Sequence, residues 1–442
     1  MLKGHLQIEL KNEDTGEVET YEETNMVTNA ISNVLGIAAN VGYNASYELM
    51  EYTLPIATKG LGGLFLFDGT LEENEDNIHF PMDVHMIGSA GQTSTTNTKY
   101  IGSINNEESI KSDNGYTKVW DFTTSQANGT IASLALTHYK CGDNPLGCNY
   151  VYHGSFEISH NYVPVAFNVE TETAYFYEAY SGKIYSKKIY SHLIKVNSPV
   201  FGEEKEVFNF NWGTSEYTKW EVSNGYDGYI YAVYTPSLYQ KGTATIRIRK
   251  VKVSDWSFDE QEEQTFNLEN VTLCATANRD YKLDYTCVVS KGYLYILSYN
   301  KKILYKINLS NVADVKELTF GDAKCSYIYP KYNGGLYASF VWNGTSSSGT
   351  TVEYTGAGLI YPDGKYMYKE ESTSQSKYGA IDPYSTLGFE VDDLLMLVVA
   401  GNGYTMYHAY ASNYLGTICN LSSPVTKTSA QTMKVTYTLT DE

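Results

Sequence analysis

Four residues have the types, and nearly the spacing, of a tetrahedral zinc site: His138, Cys141, Cys148 and His153, all within sixteen positions. Thiolate sulfur and imidazole nitrogen are the ligands that zinc prefers. The spacing is loose for a structural site, and Cys141-Gly-Asp-Asn-Pro-Leu-Gly-Cys148 has the Gly, Asn, Asp and Pro content of an ordinary turn. The expectation is therefore no metal and no cofactor. Nucleophilic and phosphate chemistry lack their motifs as well: there is no Gly-x-Ser-x-Gly elbow, no Gly-Lys-Ser/Thr loop and no His-Glu-x-x-His pair. Acidic residues number 51, so carboxylate pairs will meet by chance and no motif singles one out.

Tyrosine offers a second route to function. The chain has 42 tyrosines and 36 glycines against 10 prolines. An exposed tyrosine ring stacks on sugar faces and gives rigid, amphipathic contact area. Most of these rings are expected to pack inside the fold with their hydroxyls bonded to backbone, Tyr293, Tyr295 and Tyr305 among them. Tyr378, Tyr384, Tyr404 and Tyr414 lie in loop-rich stretches and are expected to form the binding surface.

The formal net charge of −19 opposes binding to nucleic acid or an anionic membrane. Acidic runs span 13–23, 72–76 and 259–263. One basic run, Arg247, Arg249, Lys250 and Lys252, is interleaved with Ile246, Ile248, Val251 and Val253, and its phase slips between Arg249 and Lys250. It reads as an edge strand guarded by charge, with a bulge at the slip, and alternatively as an anion patch. Residues 1–10 lack the apolar run of a signal peptide and 394–400 is too short to span a bilayer, so the chain is expected to be made in, and first to stay in, the cytosol. The six cysteines form no tight framework and are expected as buried reduced thiols.

Positioning falls to β-hairpins. Gly292 to Asn311 is the clearest: Tyr293, Tyr295, Leu297 and Tyr299 alternate with Leu294 and Ile296, then Ile303, Tyr305, Ile307 and Leu309 alternate with Lys306 and Asn308. The first strand is expected to be buried on both faces and the second to keep one wet face. Looser copies begin near Ala174, Gly228, Gly335 and Leu394. The steps of 64 and 43 residues between Gly228, Gly292 and Gly335 approach the length of a four-stranded propeller blade, about 40 to 50 residues. The expected fold class is all-β, an irregular five- or six-bladed β-propeller over 156–415, with a pair of β-sandwiches as the alternative.

Before it, Leu6, Ile8 and Leu10, a turn at Asn12 to Gly16, and Val18, Thr20 and Glu22 make an opening hairpin. Residues 23–36 carry helical spacing, with Thr24 or Asn25 as N-cap; a weaker helix is read around 45–52. Strands are expected at 61–68, 116–122 and 129–138, and a long exposed arm at 86–114. Met433, Val435, Tyr437 and Leu439 form a closing strand that needs a partner, expected at Leu6 to Leu10. The propeller would then be inserted in a small β-rich base domain with one helix, formed by 1–155 and completed by 416–442.

Glu9-Leu-Lys-Asn-Glu-Asp-Thr-Gly16 and Asn25-Met-Val-Thr-Asn-Ala30, together with Pro424-Val-Thr-Lys-Thr and Thr432-Met-Lys-Val-Thr-Tyr-Thr-Leu439, resemble the ends of structural tail or receptor-binding proteins of tailed bacteriophages of Gram-positive hosts. Leu61 to Asp68 and Gly129 to His138 look like further pieces of that base. The resemblance covers about a third of the chain, leaves out the propeller, and carries over no functional residue. It implies a non-enzymatic virion protein, oligomeric in the particle, that contacts other tail proteins through its base and a host-surface glycan or protein through the propeller. A carbohydrate-active depolymerase and a purely architectural decoration protein are the alternatives. Ser112-Asp-Asn-Gly115 followed by Trp120 has the residue types of the sialidase-propeller turn, but at the wrong spacing and only once, so that activity is not expected.

Overall fold

The computed structural model describes residues 2–32, 54–94, 98–113, 115–143, 156–157, 162–168, 171, 173–178, 181–195, 198–201, 203–211, 220–254, 257–274, 285–345, 351–368, 388–391, 394–400, 406–411 and 413–441. They divide into two compact units, one drawn from within 1–153 and 410–442, the other from within 154–409.

The first unit is one ten-stranded sheet. Its order is Met86–Ala90, Gly63–Phe67, Gly129–Thr137, Thr417–Lys427, Val18–Val27, Leu2–Asn12, Gln431–Asp441, Gly115–Phe122 and Ser103–Ile104, with Ile110–Ser112 also on Gly115–Phe122. The closing strand Gln431–Asp441 pairs along the whole of Leu2–Asn12, setting Leu6 against Tyr437, Ile8 against Val435 and Leu10 against Met433. Those six side chains point to one face and are buried with Trp120, Phe122, Leu134, Leu136, Cys419 and Val425. Two halves of the sheet thus close on one core, hinged by Thr417–Lys427. That strand pairs with Val18–Val27 at its start and with Gly129–Thr137 further on, and its register breaks between Asn420 and Val425, where Pro424 cannot donate to a ladder.

Two expectations fail in this unit. Residues 24–27 are strand, held by Met26 against Ile418, because the long-range pairing outweighs a helical spacing of four apolar residues. Helical backbone starts at residue 30, where the Ala30 N–H donates to the Thr28 hydroxyl, and residues 33–53 lie outside those described. The stretch 86–114 is no free arm: Met86–Ala90 is a buried sheet strand whose small residues Gly88, Ser89 and Ala90 make it look loop-like. A short helix is described at Tyr139–Asp143.

The second unit is five β-sheets. Blade 1 comprises Tyr162–Asn168, Thr173–Glu178, Lys183–Lys195, Ser198–Phe201 and Lys205–Asn209; blade 2, Trp220–Asn224, Tyr229–Tyr234, Leu238–Ser254 and Ser257–Leu273; blade 3, Cys287–Ser290, Tyr293–Leu297, Ile303–Asn308 and Asn311–Thr319. Blade 4 comprises Lys324–Pro330, Leu336–Thr345, Thr351–Ile360 and Tyr366–Tyr368. Blade 5 takes Gly388–Val391, Leu394–Ala400 and Met406–Ala411 from the end of the unit and Phe156–Glu157 from its start. The first strands neighbour one another cyclically, blade 1 to 2 to 3 to 4 to 5 and back to 1, so the array closes as a five-bladed propeller.

Blade faces pack on one another, which explains where the sequence pattern misleads. The second strand of the 293–308 hairpin has no wet face: Lys306 is buried, its ammonium 3.9 Å from the Tyr293 ring centroid and donating to the Pro362 carbonyl. Tyr231, Val233, Ile246 and Ile248 of blade 2 form one core with Cys287, Val289, Leu294, Ile296, Tyr305 and Ile307 of blade 3.

Candidate recognition surface

Of the four tyrosines expected at a surface, Tyr378, Tyr384 and Tyr404 lie outside the described residues. Tyr414 corrects the expectation. It has no exposed surface, its hydroxyl donates to the Gly60 carbonyl, and its backbone bridges His79 inside the sheet unit. Polar loop composition concealed it, since a tyrosine buries its ring wherever its hydroxyl finds a backbone acceptor.

His138 and Cys141 are both fully buried around the short helix. The Cys141 N–H donates to the His138 carbonyl, and the His138 Nδ1 accepts the Lys140 N–H at 3.3 Å. Cys148 and His153 lie outside the described residues, and among those described no group of three His, Cys, Asp or Glu could hold a metal ion.

The basic run is not an edge. Leu238–Ser254 is an interior strand between Tyr229–Tyr234 and Ser257–Leu273, and its register runs unbroken from Thr245 to Lys252. The phase slip arises because both blade faces are covered, so Ile248 is buried on one side and Val251 on the other. The acidic run faces it across the ladder: Arg249 opposes Glu263, Lys250 opposes Glu262 and Lys252 opposes Glu260. Arg249 Nε donates to Glu263 at 2.8 Å, and the Arg247 and Arg249 guanidiniums each lie 5.2 Å from the Trp220 ring centroid. The two guanidiniums are thus engaged inside the blade by Glu263 and Trp220.

Among the described residues the large aromatic side chains exposed at the surface are Tyr239 and Tyr299, 66% and 47% exposed. Their ring centroids are 4.6 Å apart with planes at 72°, an edge-to-face corner contributed by neighbouring blades. Tyr299 stands in the turn between the second and third strands of blade 3. There the Asn300 carboxamide oxygen accepts from the Ser298 hydroxyl (2.8 Å) and the Lys302 N–H (3.1 Å), and the Ser298 hydroxyl accepts the Ile303 N–H at 3.0 Å. The next residue, Lys301, has φ of 60°, donates through Nζ to the Ser326 carbonyl (2.9 Å) and lies 4.5 Å over the Tyr327 ring. The turn is thereby fixed to blade 4. Tyr239 sits where Leu238–Ser254 outruns its partner Tyr229–Tyr234, with Leu238 turned into the core and paired to Leu273 while Gln240 and Lys241 face water. The two supports are tied by the Cys274 N–H donating to the Leu297 carbonyl at 3.0 Å. Among the described residues neither hydroxyl of the pair has a partner.

The sequence placed Tyr299 in the alternating run with Tyr293 and Tyr295, but the strand stops at Leu297 and the ring falls into the turn. Asn-Lys-Lys was the available signal. Tyr239, which follows Thr-Pro-Ser-Leu, was not singled out at all.

Turns at the opposite ends of these strands form a second aromatic group. Tyr226 and Tyr332 meet edge to face at 5.9 Å, and Lys291 lies 5.1 Å over the Tyr332 ring. The Lys291 N–H donates to Gly225 O at 2.9 Å and the Ser290 hydroxyl to Gly335 O at 3.1 Å, lacing the turns of blades 2, 3 and 4 together.

Between the first strands of blades 2 and 3 lies a buried carboxylate. Glu221 Oε2 accepts the Thr286 N–H (2.8 Å) and the Cys287 N–H (2.7 Å), and Oε1 accepts the Thr286 hydroxyl (2.9 Å). Burial pushes the carboxyl up to about 7 against the pull of those donors. Both of its oxygens bond blade 3 from blade 2, so it is a strut between blades.

The fold defines the chain as an all-β protein built on a propeller. No family model matches it, and no curated protein does. Solved structures similar to it include virginiamycin B lyase from Staphylococcus aureus, at 8% identity over 57% of this chain and 95% of that one, with a TM-score of 0.26. A luciferin-regenerating enzyme is similar at 9% identity over 62% and 94%, TM-score 0.29, and the Cps50 (Swd1) β-propeller domain of Myceliophteria thermophila at 10% over 57% and 97%, TM-score 0.25.

Proposed function

We propose that the chain is a non-enzymatic structural protein of a tailed-bacteriophage virion, in which the sheet unit attaches to the tail and the propeller presents its turns to a ligand on the host surface. One observation carries the reading. The segments that resemble phage tail proteins, 9–16, 25–30, 61–68, 129–138, 424–428 and 432–439, are scattered along the chain yet all belong to the sheet unit, and none falls in the propeller. A shared base with a separate inserted domain is the organisation that resemblance implies. The exposed corner of Tyr239 and Tyr299 gives the propeller a surface suited to recognition.

Mass spectrometry of purified particles, with antibody labelling in electron microscopy, tests the assignment. The chain should be a stoichiometric particle component located at the tail. Its absence from particles, or its location on the head, overturns the reading.

A further inference from the structure

We propose that the Tyr239–Tyr299 corner binds carbohydrate, one or two sugar rings at a time; this rests on the host-surface reading above. Among the described residues the other large apolar side chains exposed at the surface, Val18, Leu54, Ile110 and Val315, are aliphatic and carry no ring to stack on. Among the described residues Tyr239 and Tyr299 are the exposed rings that meet as a pair, and they do so from neighbouring blades, Tyr299 on a turn held by hydrogen bonds and the two blades tied by the Cys274 N–H donating to the Leu297 carbonyl. A site held rigid before its ligand arrives loses little conformational freedom on binding.

Chemistry and size choose the occupant. An edge-to-face pair spends the edge of one ring on the face of the other and leaves broad faces open to water. Such faces attract the polarised C–H bonds of a pyranose, and the two phenolic hydroxyls stand ready to exchange hydrogen bonds with sugar hydroxyls. Two rings supply at most a few hundred Å². A stable protein partner needs roughly 800 Å² per side. Among the described residues the rim of the corner is exposed and polar, with Gln240, Lys241, Asn300 and Lys302. Nucleobases also stack on aromatic rings, but the net charge of −19 opposes a phosphate backbone.

The full-length chain, fluorescently labelled, is applied to a panel of Gram-positive cells, untreated, oxidised with periodate, or shaved with protease. Tyr239→Ala, Tyr299→Ala and the two Phe variants are run beside it, with thermal midpoints confirming that these surface changes leave the fold intact. Binding to at least one strain should survive protease and be lost after periodate. Each Ala variant should bind about tenfold more weakly, a loss near 1.4 kcal/mol, and each Phe variant should stay within about threefold of the native chain. Binding that survives periodate but not protease assigns a protein partner and overturns the proposal. Ala variants that bind like the native chain overturn the corner while leaving host-surface binding in place. No binding to any strain overturns both.

Discussion

At residue scale, Glu221 fixes how stability depends on pH between neighbouring blades. Its carboxyl is pushed up to about 7 in the fold from an ordinary 4.5, so the folded chain holds a proton that the unfolded chain releases. The stability this contributes is complete below pH 4.5, falls as pH rises, and is gone above 7; the span corresponds to roughly 3 kcal/mol at most. Glu221→Gln can keep all three contacts. Its amide oxygen accepts the N–H groups of Thr286 and Cys287, and its amide N–H donates to the Thr286 hydroxyl, which reverses its role. The unfolding free energy of Glu221→Gln relative to the native chain should therefore rise with pH between about 5 and 7, as read by denaturant titration at several pH values. Glu221→Leu removes the acceptor from two buried N–H groups and should cost about 2 to 5 kcal/mol at pH 5, where the native carboxyl carries its proton. A Gln variant with the native pH profile would show that another group governs the trend.

Elements were legible where a strand's pattern and its environment agree. Gly292 illustrates this: Ser290 pairs with Tyr293 around a two-residue turn in which Lys291 and Gly292 have φ of 46° and 78°, the mirror-type turn that a tight hairpin needs. Gly292→Ala places a Cβ in the left-handed region with nothing within 4 Å to clash, so its cost is conformational, about 1 kcal/mol in thermal or denaturant unfolding. An unchanged midpoint would contradict the turn assignment. Patterns failed where burial came from both sides or from a distant strand. Lys306 and the phase slip at 249–250 read as wet because alternation assumes one dry face, whereas a blade has two. Met26 read as helical because its partner Ile418 lies nearly four hundred residues away. The exposed tyrosine corner was the least legible feature. It depends on where one strand ends and how far another overruns, and periodicity does not define such boundaries.

Over the whole molecule, the sheet unit is held by strands from both ends of the chain. Val435 is fully buried opposite Ile8. Val435→Asp sets a carboxylate among Leu6, Trp120 and Met433 and should cost more than about 4 kcal/mol, enough to remove the protein from the soluble fraction on expression. Native yield and midpoint from that variant would refute the central place given to the closing strand. The same pairing sets a clock on synthesis. The Leu2–Asn12 strand leaves the ribosome about 430 residues ahead of its partner, a wait of roughly 20 to 90 seconds at 5 to 20 residues per second. During that interval one edge of the strand is covered by Val18–Val27, to which it is joined by a short turn, while Leu6, Ile8 and Leu10 still lack most of their core. All five blades can close before the partner strand arrives, because the last strand they need, Met406–Ala411, is made ahead of Gln431–Asp441. The sheet unit thus stays incomplete until after the propeller strands have been made, and a ribosome stalled before Gln431 would release a folded propeller with an open, adhesive sheet attached.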